Sequence, residues 1–372
     1  MIKKITQSLK LRHLCFVSVL LLSGLSFAQS ISKHPIYEDK ENEVIEKRDL
    51  FAKHFLNEDG SYTATVATGP IHYENDGVFE TIETTIHSFS SGAYTYANTE
   101  NLMASYFGAT AHTGVKNVTK EGEVLEFLST TMHWEVAGLK VGEKQSDNVP
   151  VTITGNKAYY NNLYSSINAE FVVLNGKRKL NYIIPSADAI ANVPTNADYL
   201  VFTEKVIIPE NWSHATTETG LVINNEKQER IYKYSNPYSF DGKGKTMRSN
   251  NTFMSIEAQG NNTLVISTKV KTDWLLSSER VYPITVDPTV SVYPYLSDYG
   301  TGLVYSADYY KEPEIIGFGR LDDFEGLEDF VRGWAKFDIT SLPEDAVVDN
   351  GVTINYYVNF ASVDFSPALV MN

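Results

Sequence analysis

From Arg48 onward the chain is written in short alternations of apolar and polar residues, cut every few positions by turn dipeptides. A period of two is what a strand with one buried face requires, because successive side chains point to opposite sides. Val78, Ile82 and Ile86 fall on one face, Leu180, Tyr182 and Ile184 on another, and Leu264, Ile266 and Thr268 oppose Val265, Ser267 and Lys269. Asp59-Gly60, Asp76-Gly77, Asn175-Gly176 and Asn350-Gly351 mark hairpin turns, since Asn or Asp followed by Gly accepts the positive φ that tight turns demand. Gly155-Asn156 and Gly260-Asn261 are weaker signals of the same kind. Residues 42–55 and 97–107 have some helical character, but neither keeps an apolar stripe beyond about three turns. The pattern predicts an all-β fold with two β-sandwich-like modules in tandem, and 23 Tyr and 18 Phe among many Val and Thr suit it.

Ahead of the strands the pattern changes twice. Lys3, Lys4, Lys10 and Arg12 precede an apolar run from Leu14 to Leu22 that closes at Ser26-Phe27-Ala28, the layout of a secretory signal peptide over 1–28. The uncharged stretch is shorter than the ~20 residues of a spanning helix, so no membrane span is expected once it is cleaved. Residues 29–47 are polar and charged and read as a linker. Cleavage would remove Cys15, the single cysteine, and take the formal charge from −15 to −19 by removing four cations. A secreted or cell-surface protein without disulfides must then be held by burial alone. Its acidity argues against nucleic acid and anionic membrane as partners, because both need clustered Lys and Arg.

Motifs that carry chemistry are absent or incomplete. His54, His72, His87, His112, His133 and His214 include no metal-binding spacing. Gly244-Lys245-Thr246 has Ser239 where a phosphate-binding loop needs its first Gly, and there is no Gly-x-Ser-x-Gly. No catalytic residue and no cofactor are therefore assigned, and the expectation is a non-enzymatic protein. The acidic run from Glu312 to Asp329 reads as a solvated loop, with a Ca²⁺ site at Asp322, Asp323 and Asp329 as the sharper alternative. Trp134, Trp212, Trp274 and Trp334 each sit in or beside a strand-like segment, where burial is the expected role. Tyr293, Tyr295, Tyr299, Tyr305, Tyr309 and Tyr310 are dense enough that some must face outward and offer a glycan surface. Asn117, Asn211, Asn250 and Asn261 carry the glycan-acceptor triplet.

Two stretches add a resemblance. Asn57-Glu58-Asp59-Gly60-Ser61-Tyr62, Gly69-Pro70-Ile71-His72-Tyr73, Asn181-Tyr182-Ile183-Ile184-Pro185, Asp273-Trp274-Leu275 and the Val281–Val290 segment resemble the front module of secreted bacterial wall-associated and Rhs-like proteins. Arg332-Gly333-Trp334-Ala335-Lys336-Phe337-Asp338-Ile339-Thr340-Ser341-Leu342-Pro343 resembles the core motif of DNRLRE-type domains, jelly-roll-like sandwiches related to carbohydrate-binding modules. The Asp-Asn-Arg-Leu-Arg-Glu string itself is missing.

The resulting division is a signal peptide over 1–28, a linker over 29–47, a β-rich module over 48–289 and a partial DNRLRE-like sandwich over 290–372. Pro283 and Pro288 each remove a ladder donor, so the Val281–Val290 seam is expected to be an edge or exit strand, with Asp287 capping its turn. Roughly 80 residues after the seam are short for a jelly roll of about eight strands, so the second module is expected to be incomplete and the chain to continue in a longer protein. The resemblance implies an extracellular or cell-surface structural or adhesive module in contact with polysaccharide or other surface components. The alternative is the non-catalytic front of a secreted glycan hydrolase or polymorphic toxin.

Overall fold

A computed structural model of the chain describes residues 41–292, apart from positions 68, 129, 218–219, 244–250 and 261, together with four strands between 300 and 336. The described fold is all-β. Helical turns are limited to Ile45–Lys47, Ala111–Thr113, Ala187–Ile190 and the four-residue α-helix Thr272–Leu275. No described helix is long and apolar enough to cross a membrane.

Two antiparallel ten-stranded sheets dominate, and each is organised around one long, forked strand. In the first, Tyr199–Ile207 pairs along its whole length with Thr263–Lys271, which continues to Thr252–Gln259. Its other edge is shared. The half from Tyr199 to Thr203 pairs with Thr131–Val136, and Val206 and Ile207 pair with Val124–Phe127, from which the sheet runs on to His87–Ser91. In the second sheet, Lys177–Ile184 pairs on one side with Ile167–Leu174. On the other side Lys177 to Lys179 meet Thr289–Val292, and Tyr182 to Ile184 meet Ile284–Asp287.

The inner faces of these sheets form one core. Leu200, Phe202 and Val206 of the first sheet join Leu180, Tyr182 and Ile184 of the second, all buried. The Tyr182 and Phe202 rings stack across the gap at 4.1 Å, and Phe107 meets Phe171 at 5.8 Å. At ~25 cal/mol per Å² of apolar surface removed from water, this interface supplies the main favourable contribution in a described region that has no disulfide.

Turn chemistry follows the sequence in part. Asp76 and Gly77 both have positive φ, 50° and 82°, and close a two-residue hairpin. At Asn175-Gly176 only the glycine does, at 63°, while the Asn175 amide donates to the Pro70 carbonyl at 2.7 Å. Asn350-Gly351 lies outside the described residues. Ala137-Gly138 makes a hairpin that the sequence pattern passes over, with φ of 49° and 77°.

Four expectations change. Residues 97–107 are not helical, because they complete Tyr94–Asn98 and form most of Met103–Gly108 in the first sheet. The described end of the 29–47 segment is tied down: Val44 N–H donates to the His54 carbonyl, and Glu43 is held by Arg48 at 2.6 Å. Glu43 is thus in a buried ion pair, while Glu41, Glu46 and Lys47 are exposed. The 312–329 run is not a single loop, since Gly319–Asp322 pairs with Glu328–Lys336.

The seam is not an edge either. Ile284–Asp287 lies between Lys177–Ile184 and Tyr238–Phe240, and Thr289–Val292 lies between Lys177–Ile184 and Arg230–Ser235. Pro288 is tolerated because it falls between the two strands, where its carbonyl accepts from Leu180 N–H at 2.9 Å and no donor is demanded of it. Asp287 does receive the Thr289 hydroxyl at 2.8 Å across that turn, and it also forms a buried ion pair with Lys179 at 3.1 Å. Beyond the seam, a four-stranded sheet runs Tyr309–Lys311, Gly300–Val304, Glu328–Lys336, Gly319–Asp322.

Candidate functional site: an acidic groove and a buried polar cluster

A concavity of about 700 Å³ opens at one end of the two-sheet body. Three connections build it. The Gly122–Glu123 turn belongs to a hairpin of the first sheet, and the Ile208–Trp212 connection crosses from the first sheet to the second. The third, Asn225–Lys227, belongs to a hairpin of the second sheet.

Each is rigid for a local reason. Asn225 acts as a staple, its side-chain oxygen accepting from the N–H groups of Lys227 and Glu229 at 3.0 and 2.9 Å while its amide donates to the Glu229 carboxylate at 2.7 Å. Trp212 N–H donates to the Pro209 carbonyl at 3.3 Å. Tyr232, from the second sheet, donates its hydroxyl to the Glu123 carbonyl at 3.0 Å and so locks the two sheets together beneath the groove.

Trp212 is half-buried, packed at 6.3 Å from the Tyr232 ring while lining the open space. Glu123, Glu126, Glu210 and Glu226 share the lining with it, and Lys227 is its cation. Burial raises the Glu123 pKa above the ordinary carboxylate value; its bond from the Thr119 hydroxyl opposes this, and the neighbouring Glu121 and Glu229 charges add to it. An indole face beside several hydrogen-bond acceptors is suited to a ligand that is apolar on one side and rich in hydroxyls on the other.

A second polar constellation lies inside the sandwich. Arg178 projects into the core from Lys177–Ile184 and is 1% exposed. Its Nε–H donates to Asn117 Oδ1 at 2.9 Å, and its guanidinium lies 4.2 Å from the Phe127 ring centre and 4.8 Å from that of Phe171. Asn117 in turn donates to the Ser105 hydroxyl at 2.7 Å. Glu204 enters the same core from the opposite sheet, and burial pushes its pKa up to about 7 against the lowering effect of Arg178.

Trp212, expected to be buried, is instead half-buried in the groove lining, and for the polar cluster, which was assigned no role, a signal existed in the sequence. Arg178 shares parity with Leu180, Tyr182 and Ile184, and Glu204 with Leu200, Phe202 and Val206, so each charge occupies an apolar register. The Asn117 acceptor triplet is structural, because that side chain is buried and bonded. Trp134 is buried, and Trp274 is half-buried under the Arg280 guanidinium at 5.0 Å.

The backbone places Asp322 opposite Glu328 and Asp329 opposite Leu321, while Asp323, Gly244-Lys245-Thr246 and Tyr293, Tyr295 and Tyr299 lie outside the described residues. Among the described residues no group of three or more His, Cys, Asp or Glu side chains is placed to hold a metal ion. No protein-family model, curated protein or solved structure matches the chain.

Proposed function

We propose that this chain is a non-enzymatic extracellular or cell-surface module, structural or adhesive, that contacts polysaccharide through the groove around Trp212. The observation that carries the reading is the half-buried Trp212 in the lining of an open groove that also includes four Glu residues. A sugar ring offers C–H groups on its faces and hydroxyls around its rim. Trp212 would take a face, and the Glu side chains, acceptors only when ionised, would take the rim hydroxyls. The site sits on loops held by a rigid two-sheet scaffold, the usual division of labour between binding and support. Its openness suits an extended polymer more than a small, enclosed substrate.

The test is a panel of soluble polysaccharides offered to the purified chain, with binding and reducing-end release measured in parallel. Binding without release, reduced at least tenfold by Trp212→Ala, is the expected result. Release of reducing ends that is lost on a single Glu or Asp substitution would overturn the non-enzymatic reading. Binding unaffected by Trp212→Ala would remove the groove from it.

A further inference from the structure

Between the two sheets lies a small cavity of about 30 Å³. Four polar side chains of its lining come from different strands or turns: Glu204 from the first sheet, Tyr160 and Tyr182 from the second, and Ser146 from the connection after Leu139–Gln145. All four residues are more than nine-tenths buried, and the hydroxyls of Tyr160, Tyr182 and Ser146 have no hydrogen-bond partner. Leaving a buried hydroxyl unpaired costs about 1–3 kcal/mol, so three such groups converging on one space with a carboxyl group mark a site rather than a packing fault. A cavity of this size is too small for a metabolite. It does exceed the roughly 10–15 Å³ that one water molecule needs, and a buried water requires two to four polar partners.

We propose that this cavity is a buried hydration site in which one or two water molecules bridge the Glu204 carboxyl group to the hydroxyls of Tyr160, Tyr182 and Ser146. Water fits the chemistry better than an ion. A cation there would face Arg178, which approaches the cavity lining from over Phe127 and Phe171, and an anion would face Glu204. Water both donates and accepts, so it can donate to an ionised Glu204, accept from a protonated one and accept from the hydroxyls.

The hydrated site makes Glu204 a proton-binding link between the sheets. The ionisable groups acting on it are Arg178, Tyr164, Tyr182 and Tyr234, and of these only Arg178 is charged near neutral pH. Because the folded carboxyl holds its proton to about pH 7 while an unfolded one releases it near 4.5, the folded chain binds the extra proton inside that window. The contribution of Glu204 to stability is therefore greatest below pH 4.5 and declines as pH rises toward 7.

A crystal structure of the full chain, fine enough to show ordered water, tests the site directly. Density within hydrogen-bonding distance of Glu204 and at least one of the three hydroxyls is expected. A cavity that is dry, or that takes up xenon under pressure as an apolar void does, would overturn the proposal. Thermal unfolding of Glu204→Gln tests the linkage independently: Tm should rise by on the order of 5 °C at pH 8 and stay within about a degree of the wild type at pH 4. An equal shift at both pH values would show that Glu204 is not the titrating link.

Discussion

Asn117 holds the two sheets by having two chemically different ends. Its amide donates to Ser105 on a neighbouring strand of its own sheet, and its oxygen accepts from Arg178 on the other. Arg178 Nη1 already lacks a partner, so losing this bond would leave the guanidinium still less compensated in an apolar interior. Asn117→Ala should therefore destabilise the chain by about 3 kcal/mol, because it strips a buried charge instead of removing a neutral pair. A fall in the urea midpoint at unchanged slope would register it, and a shift equivalent to under about 0.5 kcal/mol would contradict the role. At this scale the sequence was legible in position but not in partner. Alternation alone places Arg178 and Glu204 facing inward, yet reading charges as solvated discards that clue, and nothing in the spacing says which polar groups meet across a core.

At the scale of elements, alternation located Lys177–Ile184 and Thr263–Lys271 with the faces expected of them, but not the shared face of Val78, Ile82 and Ile86: Val78 is exposed, and the other two are buried outside any strand. What local pattern could not supply is neighbour order. The two prolines of the seam lower its strand propensity, and only the non-local pairing with Lys177–Ile184 and Arg230–Ser235 makes its strands central. The Ala137-Gly138 hairpin shows the reverse failure, a turn closed without Asn or Asp at its first position. Alanine at φ 49° carries a steric cost of roughly 1–2 kcal/mol that glycine avoids. Ala137→Gly should thus raise stability by up to about 1 kcal/mol, since part of the gain is lost to unfolded-state entropy. The bond from Ala137 N–H to Asp198 Oδ2 at 2.6 Å would be retained. A measured loss of stability would show that the turn is held in another conformation.

For the molecule as a whole, the forked strands matter most. Lys177–Ile184 and Tyr199–Ile207 each bind two strands along one edge, so the second sheet is complete only when the seam strands are in place. A chain ending after Val292 should keep a single cooperative unfolding transition, whereas one ending after Pro288, which loses Thr289–Val292 from between two partners, should not. Equal behaviour of the two would contradict the central placement of that strand. The same closure brings the Gly122–Glu123, Ile208–Trp212 and Asn225–Lys227 connections to one end of the body, and so creates the groove. The groove is tested most directly by the amide spectrum of the isotopically labelled chain, titrated with a polysaccharide that binds it. Shifts concentrated at the Trp212 indole and the backbone of Glu123 and Asn225 to Lys227 are expected. Shifts confined to other surfaces, with these signals unmoved at saturation, would rule the groove out as the binding surface.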